Sequence, residues 1–458
     1  MRPSARAVLR FPLSSPVRVF VAVLVLASVF YLRSPESFLR GETRKAPGPP
    51  VLLKGFPTRA FADNLRPDVQ YITTWVHAGF TNDVIIFIHL LYLALLTQRV
   101  PIIPHFVPTH ILGPETSQID GFSGPDLDFG EVFDLPRYSR LTNQAVLEWW
   151  QVKDRESDIV DPLGCWEALV TNKHHRRASP HRLKLDVSYT TAPNWTKISS
   201  DPHNPHLSFS ALMALTFPTK RNQHLIPPTH SPLLNHTLPP NEHLFCFDNL
   251  YWVCEIEEHD LQYEWSAAWR LVGQHLHWTP QILSLSDDYL RHAFGLEATN
   301  APIPPFIAVH VRRGDFADPN TCDKFPSEEC YAPISFYHMR VKEMQAELLA
   351  SNGVVVQHVL LMSDEQDETW WAQAQAAYSS EGWARASHVE LQTVEKYGMW
   401  YPILIDSAMQ THRMVLGIVG TMSSTVSVIS GKRIASWNEG TAPLKMVPYG
   451  QWIKENLK

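Results

Sequence analysis

Ile307-Ala308-Val309-His310-Val311-Arg312-Arg313-Gly314-Asp315-Phe316 is the stretch from which the fold is read. Phe306 to His310 reads as a strand apolar enough to be buried on both faces, as strands of a helix-covered parallel sheet are. That strand runs straight into two arginines, a glycine and a carboxylate. Ligands of open α/β sheets sit beyond the carboxyl ends of such strands. Two guanidiniums there offer planar donor forks, which phosphate oxygens accept in pairs. Gly314 lets the backbone turn sharply and come close to a ligand. The stretch predicts an anion site at the mouth of an α/β sheet, against the plainer reading of a strand end with an Arg-Asp pair. Arg313-Gly314-Asp315 also spells an adhesion tripeptide, which its place after a buried strand makes a coincidence.

The rhythm of strand, loop and helix continues downstream. Pro333–Ala350 reads as a helix and Val354–Met362 as a second apolar strand, ending in Ser363-Asp364-Glu365. Glu368–Tyr378 reads as a helix, Val389–Gln392 as a short strand, Pro402–His412 as a helix and Arg413–Val419 as a strand. A loop with Ser423-Ser424 and a helix from about Thr425 close the series. Such alternation argues for a doubly wound parallel sheet.

Upstream, Gln70–Val76 reads as a strand, Asn82–Gln98 as a helix capped by Thr81 or Asn82, and Val100–Phe106 as the next strand. This βαβ opening implies a parallel sheet with a right-handed crossover. The helix is apolar nearly all round, so it belongs between layers. Its N-terminus turns unpaired N–H groups toward Gly79-Phe80-Thr81-Asn82, a polar-ligand site or a plain cap. The Pro- and His-rich stretch from Asp201 to Pro240 reads as a surface excursion, its histidines lacking a metal-ligand spacing. Asn249–Trp278 reads as helical, with tryptophans at core spacing.

The chain's 458 residues exceed one ordinary core, so two domains are expected, with boundaries at 66–280 and 281–458. Hydrophobic residues at 45 % against 19 % charged give a globular balance. A net charge of −7 without a long basic run argues against a nucleic-acid partner, and makes any positive site local. Arg2, Arg6, Arg10 and Arg18 precede the apolar run Val19–Leu32. That order predicts a cytoplasmic tail over 1–18 and a type II signal anchor over 19–32. The run falls short of the roughly 20 residues of a full span, so a cleaved signal peptide is the competing reading. A short anchor suits thin early-secretory membranes. Residues 33–65 read as a stem or linker.

Cys246 with Cys254, and Cys322 with Cys330, are spaced for local disulfides, which an oxidising compartment favours. Cys165 is then left over, and a zinc site finds no Cys-x-x-Cys spacing. Asn194-Trp195-Thr196 and Asn235-His236-Thr237 are glycosylation sequons for the same compartment.

His310-Val311-Arg312-Arg313-Gly314-Asp315-Phe316 resembles the first signature of the GDP-fucose-dependent fucosyltransferases, which include the protein O-, α1,6- and α1,2-fucosyltransferases. Val354–Met362 with Ser363-Asp364 is similar to that family's strand ending in Ser/Thr-Asp. Gly417–Thr421 leading to Ser423-Ser424 is similar to its Ser-Ser loop, and Gly79-Phe80-Thr81-Asn82 to its Gly-x-x-Asn turn. The resemblance spans Pro302–Trp437, is patchy over Tyr71–Pro104 and is not visible between Gly113 and Phe245. It implies an α/β fold of GT-B type, two Rossmann-type parallel-sheet domains facing a cleft, behind the N-terminal membrane anchor. It implies inverting, metal-independent fucose transfer from GDP-fucose, with no cofactor, to a protein or glycan hydroxyl in the Golgi or ER lumen. The protein O-fucosyltransferases have the most similar motif spacing.

By that resemblance Arg312 is the catalytic arginine at the β-phosphate and His310 contacts the nucleotide phosphates. Arg313 either assists or pairs with Asp315. Ser423, Ser424 and Thr425 would bind phosphates from a helix N-terminus, Asp364 the guanine or ribose, and Gly79 the donor. Asn82 occupies the position where relatives place a carboxylate or an asparagine; an asparagine does not take a proton, and Asp83 beside it is the weaker candidate for the base. Two rivals stand beside this reading. Asp126-Leu127-Asp128 matches the Asp-x-Asp of metal-dependent glycosyltransferases. A protein that keeps the donor pocket without turnover would carry the same residues.

Overall fold

The computed structural model describes residues 51–76, 79–108, 124–168, 178–198, 206–217, 226–256, 260, 266–298, 300–311, 313, 333–412, 416–423 and 426–432. The anchor, Cys322 and Cys330 lie outside them. Helices of eight or more residues among these are α1 (Phe80–Thr97), α2 (Leu135–Thr142), α3 (Pro280–Ala293), α4 (Ile334–Asn352), α5 (Glu368–Tyr378) and α6 (Tyr401–His412). They frame a mixed α/β architecture with two large sheets.

The first sheet uses β1 (Tyr71–Thr74), β2 (Val100–Ile103), β3 (Leu147–Glu148), β4 (Asp161–Glu167), β5 (Leu185–Thr191) and β7 (Leu244–Phe247). Its order is β3-β2-β1-β7-β4-β5, and every pairing is parallel. α1 joins β1 to β2 and is buried along most of its length, from Phe80 to Ala94. It is long and apolar enough to cross a membrane, yet 67 % of its window is buried inside the protein. Burial of its aliphatic side chains, at about 1.5–3 kcal/mol each, holds it there rather than an amphipathic stripe. Gly79 is its N-cap, in extended conformation; Thr81 and Asn82, expected as caps, fall inside the first turn.

The Pro-rich excursion is strapped to the edge of this sheet. Thr229 donates its N–H to Tyr189 carbonyl at 2.8 Å. Asp186 accepts the amides of Leu233 and Leu234 at 2.9 and 2.7 Å. The strap covers the open edge of β5, a device that blocks pairing with another chain. Further on it crosses Gly164 so closely that a Cβ there would sit 1.9 Å from the Pro239 carbonyl oxygen. Between β7 and α3 the chain is not one long helix as expected. It forms β8 (Val253–Cys254), paired with β6 (Leu207–Ser208), and the short helix Ala267–Leu271.

The second sheet uses β9 (Phe306–Val311), β10 (His358–Ser363), β11 (Trp383–Arg385), β12 (Leu416–Ser423) and β13 (Val426–Lys432), in the order β11-β10-β9-β12-β13. The first four are parallel, and β13 pairs antiparallel to β12. Two expectations change here. The short strand is Trp383–Arg385, because Val389–Gln392 turns into the helix Thr393–Tyr397. The expected helix after Thr425 is a strand, in keeping with the two-residue alternation of Val426-Ser427-Val428. α3 and α6 join the halves: Tyr289 and Leu290 pack with Ile405 under β9, while Ile282, Leu404 and Ala408 belong to the core around α1.

The disulfide also differs from expectation. Cys165 on β4 bonds Cys246 on β7, with both residues fully buried. Parallel register sets Trp166 against Phe247, so the preceding cysteines share the opposite face of the sheet. Cys254 has left that sheet for β8, where its thiol donates to Leu207 carbonyl. Loss of either bonded cysteine should cost about 2–5 kcal/mol in denaturant unfolding, as the bridge closes a long loop. Peptide mapping without reductant should link Cys165 to Cys246; a Cys246–Cys254 peptide would overturn the pairing.

Candidate functional site

β10, β9 and β12 lie side by side and parallel, so their carboxyl ends reach one edge. These ends carry, in chain order, the arginine stretch, Ser363-Asp364-Glu365 and Ser423. The chain steps from β9 to β10 and β11 on one side, then returns with β12 on the other. β9 therefore stands at a topological switch point, where open α/β sheets bind ligands.

The exit of β9 is tied to the exit of β10. Ser363 Oγ donates to the Val311 carbonyl at 2.5 Å. Asp364 Oδ1 accepts the Arg313 backbone N–H at 2.5 Å. Arg313 Nε donates to Glu365 Oε2, and its guanidinium lies 5.1 Å over the Trp370 ring. Burial pushes the Glu365 carboxyl up, but the bonds from Arg313 and the Asp367 amide outweigh it and leave its pKa below the usual range. Trp371 Nε1 donates to Glu365 carbonyl at 2.9 Å, and Asp367 caps α5 by accepting Thr369 N–H at 2.8 Å.

The structure thus brings Arg313 and Asp364 together and gives both a partner within the protein. His310 is half-buried on β9, opposite Met362 and Val419. Arg312, Asp315, Ser424 and Thr425 lie outside the described residues. Ser423 ends β12 in register with Val426, so a strand pair stands where a helix N-terminus was expected to bind phosphate. Glu365 and Trp370 were missed as site residues, although Glu365 directly follows the Ser-Asp pair.

Gly79 and Asn82 belong to the other sheet, at its own switch point. β1 there is flanked by β2 and β7, and α1 begins at its carboxyl end. Asn82 is half-buried, and Asp83 is 1 % exposed, a first-turn carboxylate that complements the helix dipole. Among the described residues, a Cβ added at Gly79 meets nothing within 4 Å. Loops from the two sheets meet nearby: Trp400, ahead of α6, donates Nε1 to Pro125 carbonyl at 3.1 Å and touches Phe106.

Asp126 and Asp128 each face an arginine. Arg182 bonds Asp126, and Arg155 bonds Asp128 at 2.5 Å. His105 accepts from Arg182 Nε at 3.3 Å and stacks on Trp150, whose ring also lies 4.8 Å below Arg155. No cluster of three metal-ligating side chains occurs among the described residues.

No protein-family model matches the chain, and no curated protein sequence matches it. Solved structures do. POFUT1 in complex with GDP is 14 % identical, with 78 % of this chain and 92 % of that one covered at a TM-score of 0.46. POFUT1 in complex with GDP-fucose is 13 % identical, covering 77 % and 91 % at 0.45. The fucosyltransferase NodZ from Bradyrhizobium is 15 % identical, covering 75 % and 87 % at 0.36.

Two buried histidines set a pH dependence. Burial lowers His105 to about 4, with Asp126 opposing, and lowers His89 to about 4, with the Leu250 carbonyl opposing. The unfolded chain, with histidines near 6.5, takes up protons first as pH falls, so folding stability drops between about pH 6.5 and 4. Between pH 7 and 5 the protein should lose about 2 kcal/mol more than His89→Gln does in denaturant unfolding. Equal pH slopes for the two proteins would mean that the folded state protonates His89.

Proposed function

We propose that this protein is an inverting, metal-independent fucosyltransferase that moves fucose from GDP-fucose to a hydroxyl, with protein Ser/Thr as the first-choice acceptor. One observation carries the reading. Three separate sequence stretches, each similar to a signature of that family, end adjacent parallel strands at a single switch-point edge. In this reading the two sheets are the halves of a GT-B arrangement, and their carboxyl edges face a common cleft.

The chemistry follows from charge. Transfer breaks the bond between fucose C1 and the β-phosphate oxygen, and the bonding pair leaves with GDP. The sugar passes through an oxocarbenium-like state, as in glycoside hydrolysis. The acceptor oxygen attacks C1 from the opposite face, which inverts it, and its proton passes to a base. Negative charge grows on the departing β-phosphate, so fixed cations there lower the barrier more than they tighten ground-state binding. Arg312 takes that role, with His310 beside the phosphates. Asn82 and Asp83 frame the acceptor side, and the proton's destination is left unassigned.

The same reading puts the catalytic part in the Golgi or ER lumen behind a type II anchor. The buried Cys165–Cys246 bridge suits an oxidising compartment, and Asn194 and Asn235 are both exposed.

The test is nucleotide release by the purified protein from GDP-fucose, GDP-mannose and UDP-sugars, with and without a mixed pool of protein and glycan acceptors, and with and without EDTA. Release from GDP-fucose, unaffected by EDTA, is expected. Turnover that EDTA abolishes would instead implicate Asp126 and Asp128; no release from any donor with the acceptor pool present, together with thermal stabilisation by GDP, would favour a protein that binds the donor without turning it over. Arg312→Ala should cost roughly 3–4 kcal/mol of transition-state stabilisation, a 10²–10³-fold loss in kcat. Parental turnover by that variant would remove Arg312 from the phosphate.

A further inference from the structure

Two arginines follow β9, but the second is already engaged. Arg313 Nε bonds Glu365, its guanidinium covers Trp370, and its backbone N–H is held by Asp364. Exposed ion pairs of this kind contribute little, but here the side chains are 20 % and 16 % exposed. Glu365 is in turn fixed at every polar group it has. Its Oε1 accepts the Asp367 amide at 2.9 Å, its N–H donates to Ser363 Oγ at 3.1 Å, and its carbonyl accepts Trp371 Nε1. A carboxylate held this firmly does not follow the arginine; it dictates where the arginine lies.

We infer that Glu365 is a positioning residue: it locks Arg313 against Trp370 and so fixes the backbone that carries Arg312. The inference rests on the transferase reading above. Arg312 stands between Val311, whose carbonyl is held by Ser363, and Arg313, held at both backbone and side chain. Glu365 also cancels the charge of Arg313, so that residue contributes placement rather than potential. Placement matters because a misplacement of about 1 Å at a reacting centre can cost on the order of 10²-fold in rate.

The experiment compares the full-length protein with Glu365→Ala, Arg313→Ala and the double variant. It reads kcat and KM for GDP-fucose, the unfolding midpoint, and hydrogen exchange of the Arg313 amide. Each single variant should lose roughly 10- to 10²-fold in kcat with donor KM little changed, because the arginine acts on the departing phosphate. The double variant should be no worse than Arg313→Ala, the Arg313 amide should exchange faster in Glu365→Ala, and the unfolding midpoint should hold. Losses that multiply in the double variant would overturn the inference, and so would a Glu365→Ala variant with parental kcat. If the unmutated protein releases GDP from no donor with the acceptor pool present, the transferase reading falls on that control alone. Exchange then decides the lock: faster exchange in Glu365→Ala supports it, and unchanged exchange refutes it.

Discussion

The constraint on which the second half depends is the burial of β9 on both faces. Phe306, Ile307, Ala308 and Val309 are fully enclosed, with Phe306 and Ala308 facing the α3–α6 layer and Ile307 and Val309 facing α4. A strand enclosed in this way has no room for charge along its length, since burying an unpaired guanidinium is prohibitive. The arginines therefore fall at its end. Because β10 and β12 flank β9 in parallel, their polar ends fall at the same edge. Packing thus gathers residues some fifty and a hundred positions apart into one place before any ligand is considered.

The first sheet obeys the same constraint but is reinforced differently. Its central strands β1 and β7 are short, four residues each, so their ladders supply few hydrogen bonds. α1 supplies an apolar face beneath them, and the Cys165–Cys246 bridge ties β4 to β7 through the opposite face. The strap over β5 closes the edge that the sheet would otherwise present.

The strands and helices whose cause is local were legible in the sequence. α1, α4, α5, α6, β9 and β10 follow from apolar runs and their caps, and the structure places them within a few residues of expectation. What escaped depends on register between distant segments. The partner of Cys246 was sought eight residues away because spacing is visible in a sequence; the true partner is 81 residues away and is fixed by which strand lies beside β7. The strand β13 was legible in the alternation of Val426, Ser427 and Val428, but the Ser-Ser loop before it drew the reading toward a helix. At the site, Asp364 was recognised as a polar residue at a strand end. That it holds the Arg313 amide, and that Glu365 holds the side chain, depends on the parallel register of β9 and β10, which a single sequence does not display.

Charge pairing narrows what each arginine can contribute. Arg155 and Arg182 face Asp128 and Asp126, and Arg313 faces Glu365. A guanidinium matched by a carboxylate at contact distance exerts little net attraction on a phosphate, whereas an unmatched one in a partly dry cleft acts at several times its strength in water. In a chain of net charge −7, Arg155, Arg182 and Arg313 are matched in this way, so none of the three offers its full charge to an anion. Arg313 is accordingly part of the frame, its charge spent on Glu365 and its ring contact on Trp370.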